Sequence, residues 1–209
     1  MSKNAERSIL KHMEDQKHSP LPTKSGAMKS MELAFVDIEG TGLDPRVHEI
    51  IEIAVVRVRQ DWSGERPAFE LVDEWSAKIR PENIASADPA ALRVNGYTPT
   101  GWARAVPAAE ALLEFSRRTE GAIMVAHNVA FDSAFIDAHL SARGIPNKMH
   151  YHRLDTVSMA YAKLHDSPDL VRYSLGELCK RFGIVNENAH SALSDARADY
   201  ELFKKLLAL

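Results

Sequence analysis

Asp37 and Glu39 stand two residues apart at the end of a short apolar run, Leu33-Ala34-Phe35-Val36, in a chain of 209 residues. Side chains two apart on a strand share a face, so both carboxylates leave the core together while Ile38 points the other way. A third acid, Asp132, follows the apolar segment Ala122 to Ala126 and falls in the first turn of a predicted helix, where the dipole favours negative charge. A fourth, Asp195, opens the last predicted helix five residues after His190. Each acid alone reads as a turn former or a helix-terminal charge. Together they make the oxygen-rich shell that Mg²⁺ or Mn²⁺ prefers. Two such ions about 3.5–4 Å apart activate a water and stabilise the departing oxygen of an in-line phosphoryl displacement. His190 lies just outside the last helix and can lean toward the same cleft as Asp195.

The elements that must position these groups are legible in the apolar patterning. Leu33 to Val36 suits a buried strand ended by the turn Gly40-Thr41-Gly42; Ile50 to Val58 and Ala68 to Ile79 follow as two more extended runs. Three sequential strands suggest an antiparallel meander. Ala122 to Ala126 predicts a fourth strand, parallel to the first because helices precede and follow it. Helices are predicted near 88–94, 108–119, 130–143, 156–164, 175–182 and 192–207, with Ser191 as a cap of the last. The turn Gly40-Thr41-Gly42 lacks a third glycine and leads into a strand, which excludes a dinucleotide-binding loop.

Composition sets the frame. Hydrophobic residues make up 45% and charged residues 26%, ordinary for one globular core. A net charge of −3 excludes a broad basic surface for nucleic acid, so any such contact must be local. Residues 1–30 carry six Lys or Arg against three Asp or Glu, a local +3 that leaves −6 for the remainder. They read as a polar, basic N-terminal tail with one short helix over 5–16, appended to a domain spanning 31–209. The single cysteine, Cys179, reads as a packed helix residue; with no apolar stretch of about 20 residues, the expectation is a cytoplasmic protein without a membrane partner. His150 and His152 sit two apart, but no cysteine or second histidine cluster accompanies them as a transition-metal site. His127 is expected to pack or to bond backbone.

The motifs resemble one family specifically. Phe35-Val36-Asp37-Ile38-Glu39-Gly40-Thr41-Gly42-Leu43, Val125-Ala126-His127-Asn128 to Phe131-Asp132, and His190 to Asp195 are similar in order and spacing to the three exonuclease motifs of the DEDDh exonucleases. That group includes the proofreading epsilon subunit of bacterial replicative polymerases, ribonuclease T and oligoribonuclease. Tyr173 to Ile184 resembles the helix and turn that precede the third motif, and the likeness spans roughly residues 32–207.

The resemblance implies an α/β, ribonuclease H-like fold: a mixed five-stranded sheet flanked by helices. It implies a metal-dependent 3′-to-5′ exonuclease that releases nucleoside 5′-monophosphates from single-stranded ends, with DNA placed slightly ahead of RNA. Asp37, Glu39, Asp132 and Asp195 would hold two divalent cations, Mg²⁺ or Mn²⁺, and His190 would be the general base; the sister group carries a tyrosine where this chain has Ser191. Ile38, Gly40, Thr41, Leu43, Asn128 and Phe131 would border the terminal nucleotide, with Leu43 as a wedge between bases. Gly40 replaces a threonine common in proofreading members, which would loosen that pocket. Tyr97 and Trp102 either stack on bases or pack a loop. Alternatives are an RNA 3′-end trimming enzyme, an endonuclease of the same broad fold, and a non-catalytic module that binds ends. A DNA polymerase partner and a homodimer are compatible with the family.

Overall fold

Leu33–Gly40 forms strand β1, and its alternation decides the layering of the molecule. Leu33 and Phe35 pack into a cluster with Val56, Val58, Ile123, Val125 and Phe203, whereas Ala34, Val36 and Ile38 join Ile53, Val55, Leu112, Phe115 and Phe135 on the opposite face. The computed structural model describes residues 28–209. The expected tail and its short helix therefore fall outside the described residues, apart from one 3₁₀ turn over Met28–Ser30.

Strands β2 (Ile50–Asp61) and β3 (Ala68–Lys78) complete the expected antiparallel meander, and β4 (Ile123–Ala126) lies parallel to β1 with Phe35 opposite Val125. A fifth strand, β5 (Arg153–Asp155), pairs in parallel with β4, giving the order β3-β2-β1-β4-β5. β5 carries no signal in the sequence, because three half-buried residues give no apolar run. The five-strand count came from the family resemblance, and the sheet agrees with it.

Helices α1 (Pro89–Val94), α2 (Ala108–Arg118), α3 (Val129–Ala142), α4 (Thr156–Leu164), α5 (Leu175–Phe182) and α6 (Ala192–Leu207) match the predicted positions to within one or two residues. Helices α2 and α3 cover one face of the sheet, and α6 covers the other. Leu178 of α5 and Ala160 and Leu164 of α4 pack against Leu202 and Leu206 of α6. Phe35 anchors the α6 layer, its ring 5.3 Å from Phe203 in an edge contact and 5.1 Å from Tyr200. Cys179 is buried within α5, as expected. Among the described residues no helix is long and apolar enough to cross a membrane.

The parallel strands β1, β4 and β5 all end on the same edge of the sheet. In open α/β sheets that carboxyl-terminal edge is where ligands bind.

Candidate active site

The period of two that buries Leu33 and Phe35 against α6 carries on to Asp37 and Glu39, so both acids face the start of that helix. Asp195 lies in the first turn of α6 and is 8% exposed. Asp132, in the first turn of α3, reaches back to β1, where its Oδ1 accepts from the Ile38 amide at 3.2 Å. Three elements distant in the chain thus deliver four carboxylates to one pocket. Burial and mutual repulsion act on three of them. Burial, then Asp132, Asp195, Glu39 and Asp199, hold Asp37 well above the usual carboxylate range. Burial, then Asp195, Glu52 and Asp132, push Glu39 up to about 8. Burial likewise raises Asp132 despite the Ile38 bond.

The loop before α6 is arranged around Asp195. Its Oδ2 accepts from the His190 amide at 2.9 Å and its Oδ1 from Asn186 Nδ2 at 2.5 Å; Asn186 Oδ1 in turn accepts from the Ser194 hydroxyl at 2.6 Å. His190 adopts a left-handed backbone, φ 67°, which is uncommon for a non-glycine residue. That turn leaves its ring exposed on the rim. Ligand atoms of Glu39, His190 and Asp195 all lie within 4.8 Å of one another, the one such three-donor group among the described residues.

Two anchors hold the rest of the rim. Asn128, also left-handed at φ 69°, opens α3 without a side-chain cap, and Asp155 takes over that task. Its Oδ1 accepts from the amides of Asn128 at 2.9 Å and Val129 at 3.3 Å, while its Oδ2 caps α4 through Ser158 N at 3.1 Å. Burial pushes Asp155 upward, but the bonds from Ser158, Val129 and Asn128 outweigh it and hold the carboxyl below its ordinary range.

The turn after β1 is the second anchor. Thr41 is fully buried; its hydroxyl accepts from the Glu49 amide at 2.8 Å and its own amide donates to the Glu49 carbonyl at 2.8 Å. Thr41, expected to border the terminal nucleotide, has its side chain and amide engaged within the turn. Asn95 Nδ2 donates to the Gly40 carbonyl at 2.9 Å. A Cβ at Gly40 would meet the Gly42 carbonyl at 3.2 Å and the Phe135 ring at 3.6 Å, so little open space surrounds the position. Leu43, by contrast, is 78% exposed at the tip of the turn. Ile38 is buried and offers only backbone, Asn128 is exposed at the rim, and Phe131 is half-buried with its ring 4.9 Å from Phe135.

Several contributors escaped the sequence. Glu52 pairs opposite Glu39 across β1 and β2 and accepts from the Ser191 hydroxyl at 3.2 Å, so Ser191 does not cap α6 through its side chain. Asp155, Asn186 and Asp199 likewise had no motif of their own; only the i+4 spacing of Asp199 from Asp195 on α6 could have signalled it. Trp102 and Tyr97 prove to be packing residues: Trp102 is 6% exposed, donates Nε1–H to the Ile51 carbonyl at 2.8 Å, and lies 5.0 Å from Tyr97. His150 and His152 stack 4.9 Å apart with no third donor grouped beside them.

The donor set fits divalent cations. It consists of carboxylate oxygens, crowded and buried enough that they resist ionising together unless positive charge joins them.

Comparison with known proteins agrees with this geometry. The RNase_T family model (Exonuclease) matches residues 34–203. DNA polymerase III PolC-type from Thermotoga maritima is 30% identical over 175 residues, covering 83% of this chain and 12% of that protein. The PolC-type polymerase of Lactococcus lactis is 32% identical over 162 residues, 78% of this chain and 9% of the relative. The chain therefore spans about a tenth of the length of the relatives it matches. Among solved structures, E. coli Exonuclease I in complex with a dT13 oligonucleotide superposes with a TM-score of 0.70 at 19% identity, covering 84% of this chain and 41% of that one. Exonuclease I from Methylocaldum szegediense gives 0.64 at 21% identity over 85% and 42%. With its motifs in order and its family matched over most of its length, this chain belongs to the DEDDh-type family of 3′-to-5′ exonucleases.

Proposed function

We propose that this domain removes nucleotides one at a time from single-stranded 3′ ends, releasing nucleoside 5′-monophosphates, with DNA as the favoured polymer. The observation that carries the proposal is the convergence of Asp37, Glu39, Asp132 and Asp195 from β1, α3 and α6 on one pocket, with His190 on its rim. Asp37, Glu39, Asp132 and Asp195 would hold two divalent cations, Mg²⁺ or Mn²⁺. When bound, these supply activation of the attacking water and charge balance for the departing oxygen.

The chain's own groups do the rest. His190 is exposed and within reach of Glu39 and Asp195, a position from which a neutral imidazole accepts the proton of the attacking water. The Asn186 and His190 bonds fix Asp195 so that its carboxylate does not reorient when substrate arrives. Leu43 is exposed four residues after Glu39, and its apolar side chain would part the last two bases. Preference for DNA is supported by the oligonucleotide in the dT13 complex of Exonuclease I and by the polymerase names of the PolC-type relatives. The same relatives support a polymerase as partner. A non-catalytic role finds no support in the site, where all four acids are present.

The test is digestion of matched end-labelled DNA and RNA oligomers with Mg²⁺, with Mn²⁺ and with chelator. Stepwise shortening with 5′-mononucleotide release, absent in chelator and absent on circular single strands, is the expected result. Intact oligomers under every metal condition would overturn the proposal, and cleavage of circles would make the protein an endonuclease.

A further inference from the structure

Beneath the acid pocket, one turn along α6 from Asp195, lies a buried acid that the proposed mechanism does not use. Asp199 is 2% exposed, and its Oδ1 lies 2.5 Å from Thr156 Oγ1. Thr156 Oγ1 is in turn 3.0 Å from His127 Nδ1, and His127 Nε2 is 2.8 Å from the Tyr173 carbonyl. The second Asp199 oxygen, Oδ2, is buried with no hydrogen-bond partner. These four residues come from α6, α4, the end of β4 and the segment before α5, so one chain of contacts ties together every element behind the site.

We propose that Asp199 is a positioning residue that keeps its proton and donates it to Thr156, so that His127 remains a neutral imidazole clamped on Tyr173.

Counting protons carries the assignment. A carbonyl only accepts, so His127 Nε2 must carry hydrogen toward Tyr173. Each of the two remaining gaps, His127 to Thr156 and Thr156 to Asp199, also needs one hydrogen. Threonine owns a single hydroxyl proton. A neutral histidine and an ionised aspartate therefore leave one gap empty, with two acceptors facing each other. One further proton completes the chain, and it resides either on the carboxyl or on the imidazole.

The surroundings choose the carboxyl. Asp155 at the end of β5 and Asp195 on the same helix act on Asp199 with negative charge, Asp199 in turn raises Asp37 and Asp132 beside it, and no Lys or Arg acts on Asp199. Burial disfavours charge on both members of the chain: it pushes Asp199 up to about 7 and holds His127 below its ordinary value against the Tyr173 bond. The result is a rigid, uncharged base under the pocket. The negative charge available to cations is then that of the four acids above it, and His127 holds the Tyr173 segment that leads into α5.

The proposal rests on the exonuclease reading only for its activity measurements. Nitrogen NMR of His127 in the full protein tests the proton placement without any turnover. A neutral ring protonated at Nε2 and bare at Nδ1 is expected at neutral pH; a doubly protonated imidazolium overturns the assignment. In oligomer digestion, Asp199→Ala should lose at least about tenfold in kcat, while Asp199→Asn, whose amide can donate to Thr156, should recover most of that loss. Manganese affinity separates this role from direct ligation: Asp199→Asn should bind Mn²⁺ nearly as wild type does, whereas Asp195→Asn should not. If Asp199→Asn lost metal as severely as Asp195→Asn, Asp199 would be an ionised ligand and the proposal would fail. Should Asp199→Ala not fold, Thr156→Ser against Thr156→Val asks the same question. The serine should keep activity and the His127 signature, and the valine should lose both; equal behaviour refutes the relay. Wild-type protein that shows the predicted His127 ring but cuts no oligomer would sink the exonuclease reading and leave this one standing.

Discussion

Stripping the protein of metal should make it less stable as pH rises, opposite to a protein held together by surface ion pairs. Glu39 has an ordinary pKa of 4.5 and is pushed to about 8 in the folded pocket by burial and by Asp195, Glu52 and Asp132. A carboxyl raised on folding binds a proton that the unfolded chain releases, so its contribution is fully present below 4.5 and is lost as pH climbs toward 8. Three histidines, the half-buried His127 and His139 and the buried His150, are held below their usual value chiefly by burial and act in the opposite direction in acid. Above pH 6.5 the unfolded chain still releases protons from these histidines, an effect that wild type and Glu39→Gln share, so the Glu39 contribution is read as the difference between the two proteins from pH 6.5 upward. From there to pH 8, one carboxyl is worth about 2 kcal/mol, at about 1.4 kcal/mol per pH unit. Glu39 is partly exposed and solvent screens it, so about 1–2 kcal/mol is realised, or roughly 3–6 °C in Tm for a domain of this size. Saturating Mn²⁺ should reverse the trend, adding about 2.7 kcal/mol at a hundred times its Kd. The assay is thermal denaturation in chelator and in Mn²⁺ across that pH range, repeated on Glu39→Gln, whose amide does not titrate and should flatten the slope. A chelated wild type whose Tm changes in parallel with that of Glu39→Gln from pH 6.5 to 8, or Mn²⁺ that stabilises no better at pH 8 than at 6.5, would refute the electrostatic account of the pocket.

Other outcomes follow from individual contacts. Asp37→Ala should nearly abolish turnover while folding normally, and His190→Ala should cost about 10²–10⁴-fold in kcat; a fully active Asp37→Ala would remove the metal assignment. Asp155→Ala uncaps α3 and α4 together and should cost about 2 kcal/mol, seen as a Tm lower by roughly 4–8 °C, with kcat falling because Asp132 rides on the first turn of α3. An unchanged Tm would show that the Asn128 and Val129 amides find other partners. Phe35→Ala, at the junction with Tyr200 and Phe203, should cost about 3–5 kcal/mol by chemical denaturation. Trp102→Phe should lose about 1 kcal/mol with the Ile51 bond and leave KM for oligomers unaltered, whereas a KM rise would return Trp102 to the substrate path.

Strand β1 shows how much was legible along the chain. Its apolar alternation and its two terminal acids lie within eight residues, so period and chemistry could be read together, and the positions of helices α1 to α6 were legible in the same way. β5 was not legible, since Arg153-Leu154-Asp155 carries no pattern of its own and becomes a strand only because β4 offers an unpaired edge. Thr41 and Trp102 stayed open to two readings for a related reason. A hydroxyl or an indole near a motif looks available until the fold assigns its hydrogen-bond partners, here the Glu49 amide and the Ile51 carbonyl.

The amino-acid order by itself determined which groups this protein brings to chemistry: four acids and a histidine in motifs whose local period already sets the face each one takes. Only the tertiary structure decided what surrounds them. Glu52 enters through strand register, Asp155 through the meeting of two helix ends, and Asp199 through the docking of α6 on β1 and β4. Local periodicity propagates through neighbouring peptide units and survives in the sequence. The burial and charge that set a buried carboxyl's proton come from residues far apart in the chain, and they exist only once the sheet and its helices have closed around it.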